Sequence, residues 1–360
     1  MTMTIRRTTK GRSNSGIADD NNNNEQNRII QDIISTMTLQ QKIGQMSQIE
    51  INMLVTDDKS TLNQTKLDYY IGELGIGSVL NNIVPTPSAE GEDDGSLSFW
   101  TTSQYRKAAI QIQDTVTKYN NANSIPVIWG LDSVHGCNYI IGKISTPQPI
   151  NIASTFNITV SKLSGYYASY NTRQGGINWL FSPLLGISYK SSYWSRIYET
   201  FSEDPYLTGI MAYNMIYGIQ QQQSQKQGSD KDIDMDSTIV PSLAAACGKH
   251  FVGYSLPHNG HDRAPSWIPK RHLYQYFVLP WKYVLVPKKR QQQDDSNDDN
   301  NVNSNNIGIP KTIMESYTEI LMLFSSIFLT AKTNVRKSST PSHSSITRSR
   351  PIWVAVPMEL

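Results

Sequence analysis

The stretch IPVIWGLDSVHG, residues 125–136, decides the fold class. Its first part, residues 125–131, is a continuous apolar run bounded by turn residues, which is typical of a β-strand buried on both faces. Strands of this kind occur in parallel sheets that are covered by helices. The polar residues that follow this strand, from Asp132 onward, lie where parallel α/β barrels place their reacting groups.

Helical and extended patterns alternate on both sides of this strand. Before it, apolar residues recur four and three positions apart across residues 105–119, which predicts an amphipathic helix. Further apolar runs, which we interpret as strands, occur at residues 75–80, 176–185, 244–254 and 312–317. Because helical patterns separate these runs, the chain is predicted to form an α/β fold with a parallel sheet.

Four more helices are predicted from capping residues and apolar spacing. Residues 25–37 carry aliphatic side chains on one face, and Thr38 with Gln41 forms a capping box before a second stripe. Ser202 is predicted to cap a third helix, and a fourth helix from about Arg271 contains Pro280, which is expected to kink it. The residues expected to face the core are Ile29, Ile30, Ile33, Ile34, Met37, Leu39, Ile43, Met46, Leu207, Ile210, Met211, Met215, Leu273, Phe277 and Val284.

The composition disfavours several classes of protein. The chain has 360 residues, 38% hydrophobic and 17% charged, which suffices for one large barrel or two ordinary domains. Its net charge of +2 gives no electrostatic argument for nucleic acid as a partner, and no apolar stretch is long enough for a membrane span.

The cysteines and histidines show no pattern of a disulfide framework or a metal site. Cys137 and Cys247 are expected to be buried free thiols. His258 and His261 lack a carboxylate or cysteine set at ligand spacing, so neither a metal nor a cofactor is expected.

Four polar regions flank or interrupt the folded part of the chain. Residues 1–24 are poor in aliphatic side chains, which predicts a disordered arm before a barrel domain at 25–320. Two tracts rich in Gln, Asn and Asp, at 220–236 and 291–306, are interpreted as surface-loop insertions without a function of their own. Residues 321–360 include a Ser-, Thr-, Lys- and Arg-rich stretch without periodicity, and we expect this tail to be disordered.

Polar residues that could carry chemistry follow the predicted strands. They are Asp132, Arg196, Glu199, Lys249, His250 and Tyr317. If these side chains meet at one mouth, they offer the charged and neutral hydrogen-bonding groups that suit a polyhydroxylated ligand such as a sugar. Three tryptophans could stack on sugar rings, although core positions are the commoner use of this residue: Trp129, Trp194 and Trp267.

Each candidate also has a structural interpretation. Asp132 could cap the turn after its strand. Arg196 and Glu199 could form a local ion pair of small energetic value. Lys249 and His250 are costly to bury without a ligand or a partner charge, although a structural ion pair is the alternative for them.

Five ordered motifs resemble one enzyme family. They are IPVIWGLDSVHG, SRIYETFSEDPYL, GKHFVGY, the predicted helix around RHLYQYFVLPWK, and TIMESYTEI. Together with MTLQQKIGQM near the start, they are similar to the N-terminal barrel of glycoside hydrolase family 3, the β-glucosidase family, over about residues 29–320. The resemblance implies a TIM-type (β/α)8 barrel that is incomplete at its C-terminal end. The family's substrate-binding residues then correspond to Asp132, Arg196, Lys249, His250, Met314 and Tyr317.

The resemblance implies a retaining hydrolase that releases terminal β-linked glucose from glucosides or oligosaccharides. Family members use an aspartate nucleophile on a later strand and a general acid from a following domain. This sequence contains neither pattern, and no aspartate follows Asp299, so the chain is expected to be a truncated member without its catalytic carboxylates. A shifted reading frame or a retained intron would explain the break after Ile320. A noncatalytic sugar-binding protein and a nonfunctional fragment are the alternatives.

Further expectations follow from the same motifs. A barrel without its last strands has two unpaired edges, which predicts poor solubility unless residues 321–328 pack in their place. The N-acetylglucosaminidase branch of the family is disfavoured, because KHFVGYSLPHNGHD lacks the proline and spacing of its catalytic loop. No secretory signal is visible, so a cytoplasmic location is the default, although family members are often secreted or lysosomal.

Overall fold

The computed structural model describes residues 15–83, 86–87, 97–119, 124–189, 193–221, 244–286 and 309–318. Its strands are β1 Gln48–Glu50, β2 Ser78–Leu80, β3 Thr86–Pro87, β4 Leu97–Ser98, β5 Ile128–Leu131, β6 Trp179–Leu180, β7 Ala245–Phe251 and β8 Thr312–Glu315. Six of them form one parallel sheet in the order β1-β2-β5-β6-β7-β8, and β3 pairs antiparallel with β4. The predicted α/β fold with a parallel sheet is confirmed.

Of the helices that the structure describes, two precede the first strand, and the others lie between strands. These helices are α1 Ser15–Thr36, α2 Leu39–Gln45, α3 Gln64–Leu67, α4 Thr102–Tyr119, α5 Pro149–Ala153, α6 Ile158–Gln174, α7 Pro205–Gln220, α8 Lys270–His272 and α9 Leu279–Leu285. Each of the five predicted apolar runs contains one strand of the sheet. The first strand, β1, escapes prediction because three residues of mixed polarity are too few to show a period.

The two faces of the sheet are covered differently. On the helix-bearing face, Val79, Trp129 and Leu131 pack with Tyr105 and Ile112 of α4. The opposite face carries a smaller cluster formed by Leu80, Trp179, Phe181, Cys247 and Met314. This alternation follows from the two-residue period of strand side chains. Gly130 lies where a Cβ atom would collide with the Phe181 ring, so a larger residue at this position would displace that cluster.

Helices α6 and α7 approach each other closely. A Cβ atom at Gly165 would collide with the carbonyl oxygen of Met215, and one at Gly218 would collide with that of Lys162. Ser161 Oγ donates a hydrogen bond to the Met211 carbonyl at 2.8 Å across the same contact. The absence of side chains at the two glycines is therefore what permits this helix pair.

The N-terminal helices differ from prediction. Helix α1 begins at Ser15, inside the stretch 1–24 for which disorder is predicted. The capping box of Thr38 and Gln41 is present at α2. Most residues of the predicted core-facing stripes are nevertheless exposed, with Ile29 at 50% and Leu39 at 74% of full exposure, whereas Met37 is buried as predicted. Periodicity indicates which residues share a face, but no described element covers this one.

Predictions for the later helices hold with two corrections. Leu273, Phe277 and Val284 are buried as expected. The predicted single helix with a kink at Pro280 is instead divided into separate helical segments. A π-helical turn spans Leu273–Phe277, and Pro280 lies in the first turn of the next helix, α9. The N-cap of α7 is Asp204 rather than Ser202, since Asp204 Oδ1 accepts a hydrogen bond from Tyr206 N at 2.9 Å.

The first residue of the predicted insertion 220–236 belongs to the core. Gln220 ends α7 and is buried; its side-chain oxygen accepts hydrogen bonds from Ala246 N and Lys311 N, each at 3.2 Å, and its amide donates to Ile309 O at 2.8 Å. The amide therefore joins α7 to β7 and to the start of β8. The rest of that insertion from residue 222, the tract 291–306 and the tail 321–360 lie outside the described residues.

The sheet is open in the described part of the chain. There, β1 pairs only with β2, and β8 pairs only with β7. The arrangement corresponds to six consecutive parallel strands of a barrel whose closing strands are not among the described residues.

Cys137 and Cys247 are free and buried, as expected, and burial raises the pKa of Cys247 to about 12.

Candidate functional site

A cavity of about 380 Å³ lies at the carboxyl ends of the strands. Four of the six predicted substrate-binding residues line it, namely Asp132, Arg196, Met314 and Tyr317. The other two, Lys249 and His250, contact lining residues directly. Residues at or after the ends of β5, β6, β7 and β8 therefore converge at one place. This is the location expected for the active site of a parallel α/β barrel, at the carboxyl ends of its strands.

Asp132 and Lys249 form the inner ion pair of the cavity. Lys249 Nζ donates a hydrogen bond to Asp132 Oδ1 at 2.5 Å, and the lysine side chain is only 1% exposed. Asp132 is 42% exposed and remains accessible from the cavity. The structural ion pair considered for Lys249 is thus present, and its acidic partner still faces the space that a ligand would occupy.

Arg196 and Glu199 form a second ion pair beside the first. Arg196 Nε and Nη2 donate to the two carboxylate oxygens of Glu199 at 2.8 and 2.7 Å. Burial alone would lower the pKa of Arg196, but the hydrogen bonds and charge of Glu199, with Tyr254, raise it above the ordinary value. The local pair considered from the sequence exists, and its bidentate geometry fixes the guanidinium at the cavity wall.

His250 lies in an aromatic cluster behind the cavity. Its ring centroid is 4.9 Å from that of Tyr254 and 5.0 Å from that of Tyr317. The residue is 3% exposed, and neither ring nitrogen has a hydrogen-bond partner among the described residues. Burial, then the charges of Lys249 and Arg196, hold its pKa well below the usual 6.5, so the imidazole is neutral near pH 7.

Tyr317 and Met314 complete the predicted set. Tyr317 Oη donates to Met314 Sδ at 3.8 Å, and burial, followed by the negative charge of Asp132, raises the pKa of Tyr317 to about 12. The phenol therefore keeps its proton and can donate a hydrogen bond at any physiological pH.

Two residues that sequence reasoning missed belong to this site. Asp262 Oδ1 accepts hydrogen bonds from Trp194 Nε1 at 3.1 Å and from Tyr254 Oη at 2.5 Å. Arg263 lines the cavity, with its Cζ 5.2 Å from the centroid of the Tyr317 ring. From the sequence, this loop attracts attention only for its histidines and for its departure from the catalytic loop of the N-acetylglucosaminidase branch. The signal available in the sequence was the adjacent pair of charged residues, Asp262 and Arg263, soon after the Lys249–His250 motif.

The tryptophans and histidines of interest have structural contacts. Trp129 and Trp194 are buried, and their indole nitrogens donate to Asn81 O and Asp262 Oδ1, so neither offers a free face to a sugar. Trp267 is 52% exposed and stacks on His258 with 3.7 Å between ring centroids. In the described part of the chain, no group of three or more potential ligands could hold a metal ion.

The carboxylates that line the cavity are both paired with cations. Asp132 bonds to Lys249, and Glu199 bonds to Arg196. Such pairs suit the binding and orientation of a hydroxylated ligand. A retaining mechanism needs two carboxyl groups acting as nucleophile and acid. Within the described residues, the cavity provides no carboxylate without a cationic partner.

Comparisons with known proteins show the family to which the chain belongs. The family model for the glycosyl hydrolase family 3 N terminal domain matches residues 38–291. The lysosomal beta glucosidase of Dictyostelium discoideum is 37% identical over 249 residues, which are 69% of this chain and 28% of that protein. The periplasmic beta-glucosidase of Salmonella typhimurium is 26% identical over 61% of this chain and 26% of its own length. This chain thus spans little more than a quarter of these relatives.

Solved structures show the same fold. A mutant of exo-1,3/1,4-beta-glucanase from a Pseudoalteromonas species matches 81% of this chain and 39% of its own, with a TM-score of 0.59 and 22% identity. The beta-glucosidase from Listeria innocua matches 81% of this chain and 33% of its own, with a TM-score of 0.56 and 20% identity.

None of the helices in the described part of the chain combines the length and the hydropathy that a membrane-spanning helix requires.

Proposed function

Because the chain belongs to glycosyl hydrolase family 3, we propose that it forms the sugar-binding wall of a β-glucosidase-type site that releases terminal β-linked glucose by a retaining mechanism. The single observation that carries this proposal is the convergence of Asp132, Arg196, Lys249, His250, Met314 and Tyr317 on one cavity. The names of the beta-glucosidase relatives support the same substrate class.

The residues divide into hydrogen-bond acceptors and donors. Asp132 accepts hydrogen bonds from sugar hydroxyls, and Lys249 holds its carboxylate in place. Arg196 donates from a guanidinium that Glu199 fixes. The neutral imidazole of His250 can both donate and accept a hydrogen bond. Neither of its ring nitrogens has a hydrogen-bond partner among the described residues, so binding a sugar would break no existing bond there. Together these groups orient a glucose ring without supplying the nucleophile.

The nucleophile and the general acid lie outside the described residues in this proposal. The two lining carboxylates serve in ion pairs, and the conversion of either one into a nucleophile would leave the buried ammonium of Lys249 or the partly buried guanidinium of Arg196 without its partner. We therefore expect the chain to bind glucose and not to hydrolyse glucosides by itself.

Glucose binding tests the proposal. We would titrate the purified chain with glucose by NMR, beside Asp132→Asn and the control Asp114→Asn, whose side chain lies on the exposed face of α4. Asp132→Asn is expected to weaken binding about tenfold or more, the usual effect of losing a charged hydrogen bond, while the control binds as the unchanged chain does. No binding by the folded unchanged chain would overturn the proposal.

Hydrolysis of an aryl β-glucoside tests the missing nucleophile. We expect no release of the phenol above the level of Asp132→Asn or of a blank purification. Turnover above both controls would show that a carboxylate of this chain acts as the nucleophile, and it would overturn the proposal that the chain binds glucose without hydrolysing glucosides.

A further inference from the structure

Arg263 differs from the other cations at the cavity in how it is held. The ammonium of Lys249 and the guanidinium of Arg196 each make short hydrogen bonds to a carboxylate, at 2.5 to 2.8 Å. The only ion pair of Arg263 among the described residues joins its Nε to Asp262 Oδ2 at 3.8 Å. At that distance no hydrogen bond forms, so the guanidinium keeps its donors.

Asp262 is already engaged elsewhere. Its Oδ1 accepts hydrogen bonds from Trp194 and from Tyr254, which anchors the carboxylate in the wall behind the cavity. The other oxygen, Oδ2, lies 3.8 Å from Arg263 Nε, so the carboxylate gives this guanidinium only a loose contact.

The position of Arg263 is nevertheless defined. Its backbone adopts a left-handed conformation with φ of 66°, which is uncommon for a residue with a side chain. Its guanidinium carbon lies 5.2 Å from the centroid of the Tyr317 ring, within the range of a cation–π contact. A guanidinium placed against a ring presents its N–H groups at its edge, where a planar acceptor can approach.

The three cations lie at different depths. The side-chain exposure is 1% for Lys249, 22% for Arg196 and 66% for Arg263. The inner two belong to the proposed glucose-binding wall, and Arg263 lies at the rim. A glucoside whose terminal glucose fills the inner part would direct its leaving group toward this rim.

We infer that Arg263 is an anion-binding subsite at the rim of the cavity, which favours β-glucosides whose leaving group carries a carboxylate. The inference rests on the proposed function, since the inner cavity must hold the glucose. A guanidinium has five N–H donors and no acceptor, so a carboxylate satisfies it in bidentate fashion better than a neutral group does.

The test compares two ligands of the same shape. We would measure, by calorimetry or NMR titration, the binding of 4-carboxyphenyl β-glucoside and of its neutral analogue 4-carbamoylphenyl β-glucoside. The unchanged chain is expected to bind the acid about fivefold more tightly, as for an exposed charge pair at the upper end of its range. The preference should shrink at high salt, because screening weakens an exposed pair.

Substitutions assign the preference to Arg263. Arg263→Gln should bind both ligands equally, Arg263→Lys should keep part of the preference, and the control Arg271→Gln, an exposed arginine that contacts Gln275 on the outer surface, should keep all of it. Equal binding of the two ligands by the unchanged chain would overturn the inference and leave the glucose site intact. If neither ligand binds, the proposed function fails, and the inference falls with it.

Discussion

Lys249 Nζ and Asp132 Oδ1 lie 2.5 Å apart, although the two residues are 117 positions apart in the chain. The pair joins the ends of β5 and β7, which flank β6 in the sheet. It thus connects two strands that make no backbone hydrogen bonds to each other. One partner is buried and the other faces the cavity, so the same contact serves the stability of the sheet and the geometry of the site.

A double-mutant cycle tests the energy of this pair. Asp132→Asn, Lys249→Met and the double variant are expected to give a coupling energy of about 1–3 kcal/mol in urea unfolding, because one partner is fully buried. The matched control is the pair of Lys118 and Asp68, 3.1 Å apart but more exposed, for which we expect a smaller coupling energy because solvent screens the pair. Equal coupling in the two cycles would contradict this prediction.

The depressed pKa of His250 predicts a dependence of stability on pH. The unfolded chain takes up a proton near pH 6.5, whereas the folded chain does so only at much lower pH. Stability is therefore fully present above about pH 6.5 and is lost as the pH falls below it, by at most about 1.4 kcal/mol per pH unit for one proton.

Urea unfolding between pH 7.5 and pH 5 measures this effect. His250→Phe keeps an aromatic ring beside Tyr254 and Tyr317 and removes the titrating group. The unchanged chain should lose stability more steeply than this variant below about pH 6.5. Parallel curves would show that His250 does not titrate as inferred.

Two neighbouring glutamines should respond differently to the same change. Gln220→Ala removes hydrogen bonds to Ala246 and Lys311 and is expected to lower the free energy of unfolding by about 2–3 kcal/mol, because it leaves buried backbone groups unpaired. Gln221→Ala, at the next position, is the control and should change it by less than about 0.5 kcal/mol. A similar effect of both substitutions would show that Gln220 is not a core residue.

Gly165→Ala tests the close contact of α6 and α7. In an exposed helix this substitution would stabilise by up to about 1 kcal/mol. Here the added methyl group collides with the carbonyl oxygen of Met215, so we expect a net loss of about 1–3 kcal/mol in thermal or urea unfolding. Leu163→Ala, at a half-exposed position of the same helix, should cost less. A more stable Gly165→Ala variant would show that the helices can separate without cost.

Local sequence patterns suffice to predict most of the strands and the candidate residues that follow them. Apolar runs of strand length located five of the six strands of the sheet, since a buried strand needs such a run whatever surrounds it. The capping box of Thr38 and Gln41 is likewise a property of neighbouring residues. The rule that polar groups follow the carboxyl ends of strands then selected Asp132, Lys249 and Tyr317.

Which of these features meet, and which helix faces are covered, depends on contacts between residues that are far apart in the chain. Ile29 and Leu39 have the periodicity of core residues and are exposed, because the covering of a helix face depends on elements far away in the chain. Gln220 begins a polar tract and is buried, because the ends of β7 and β8 need its amide. Arg263 reaches the cavity through a left-handed turn, which local patterns of polarity do not encode.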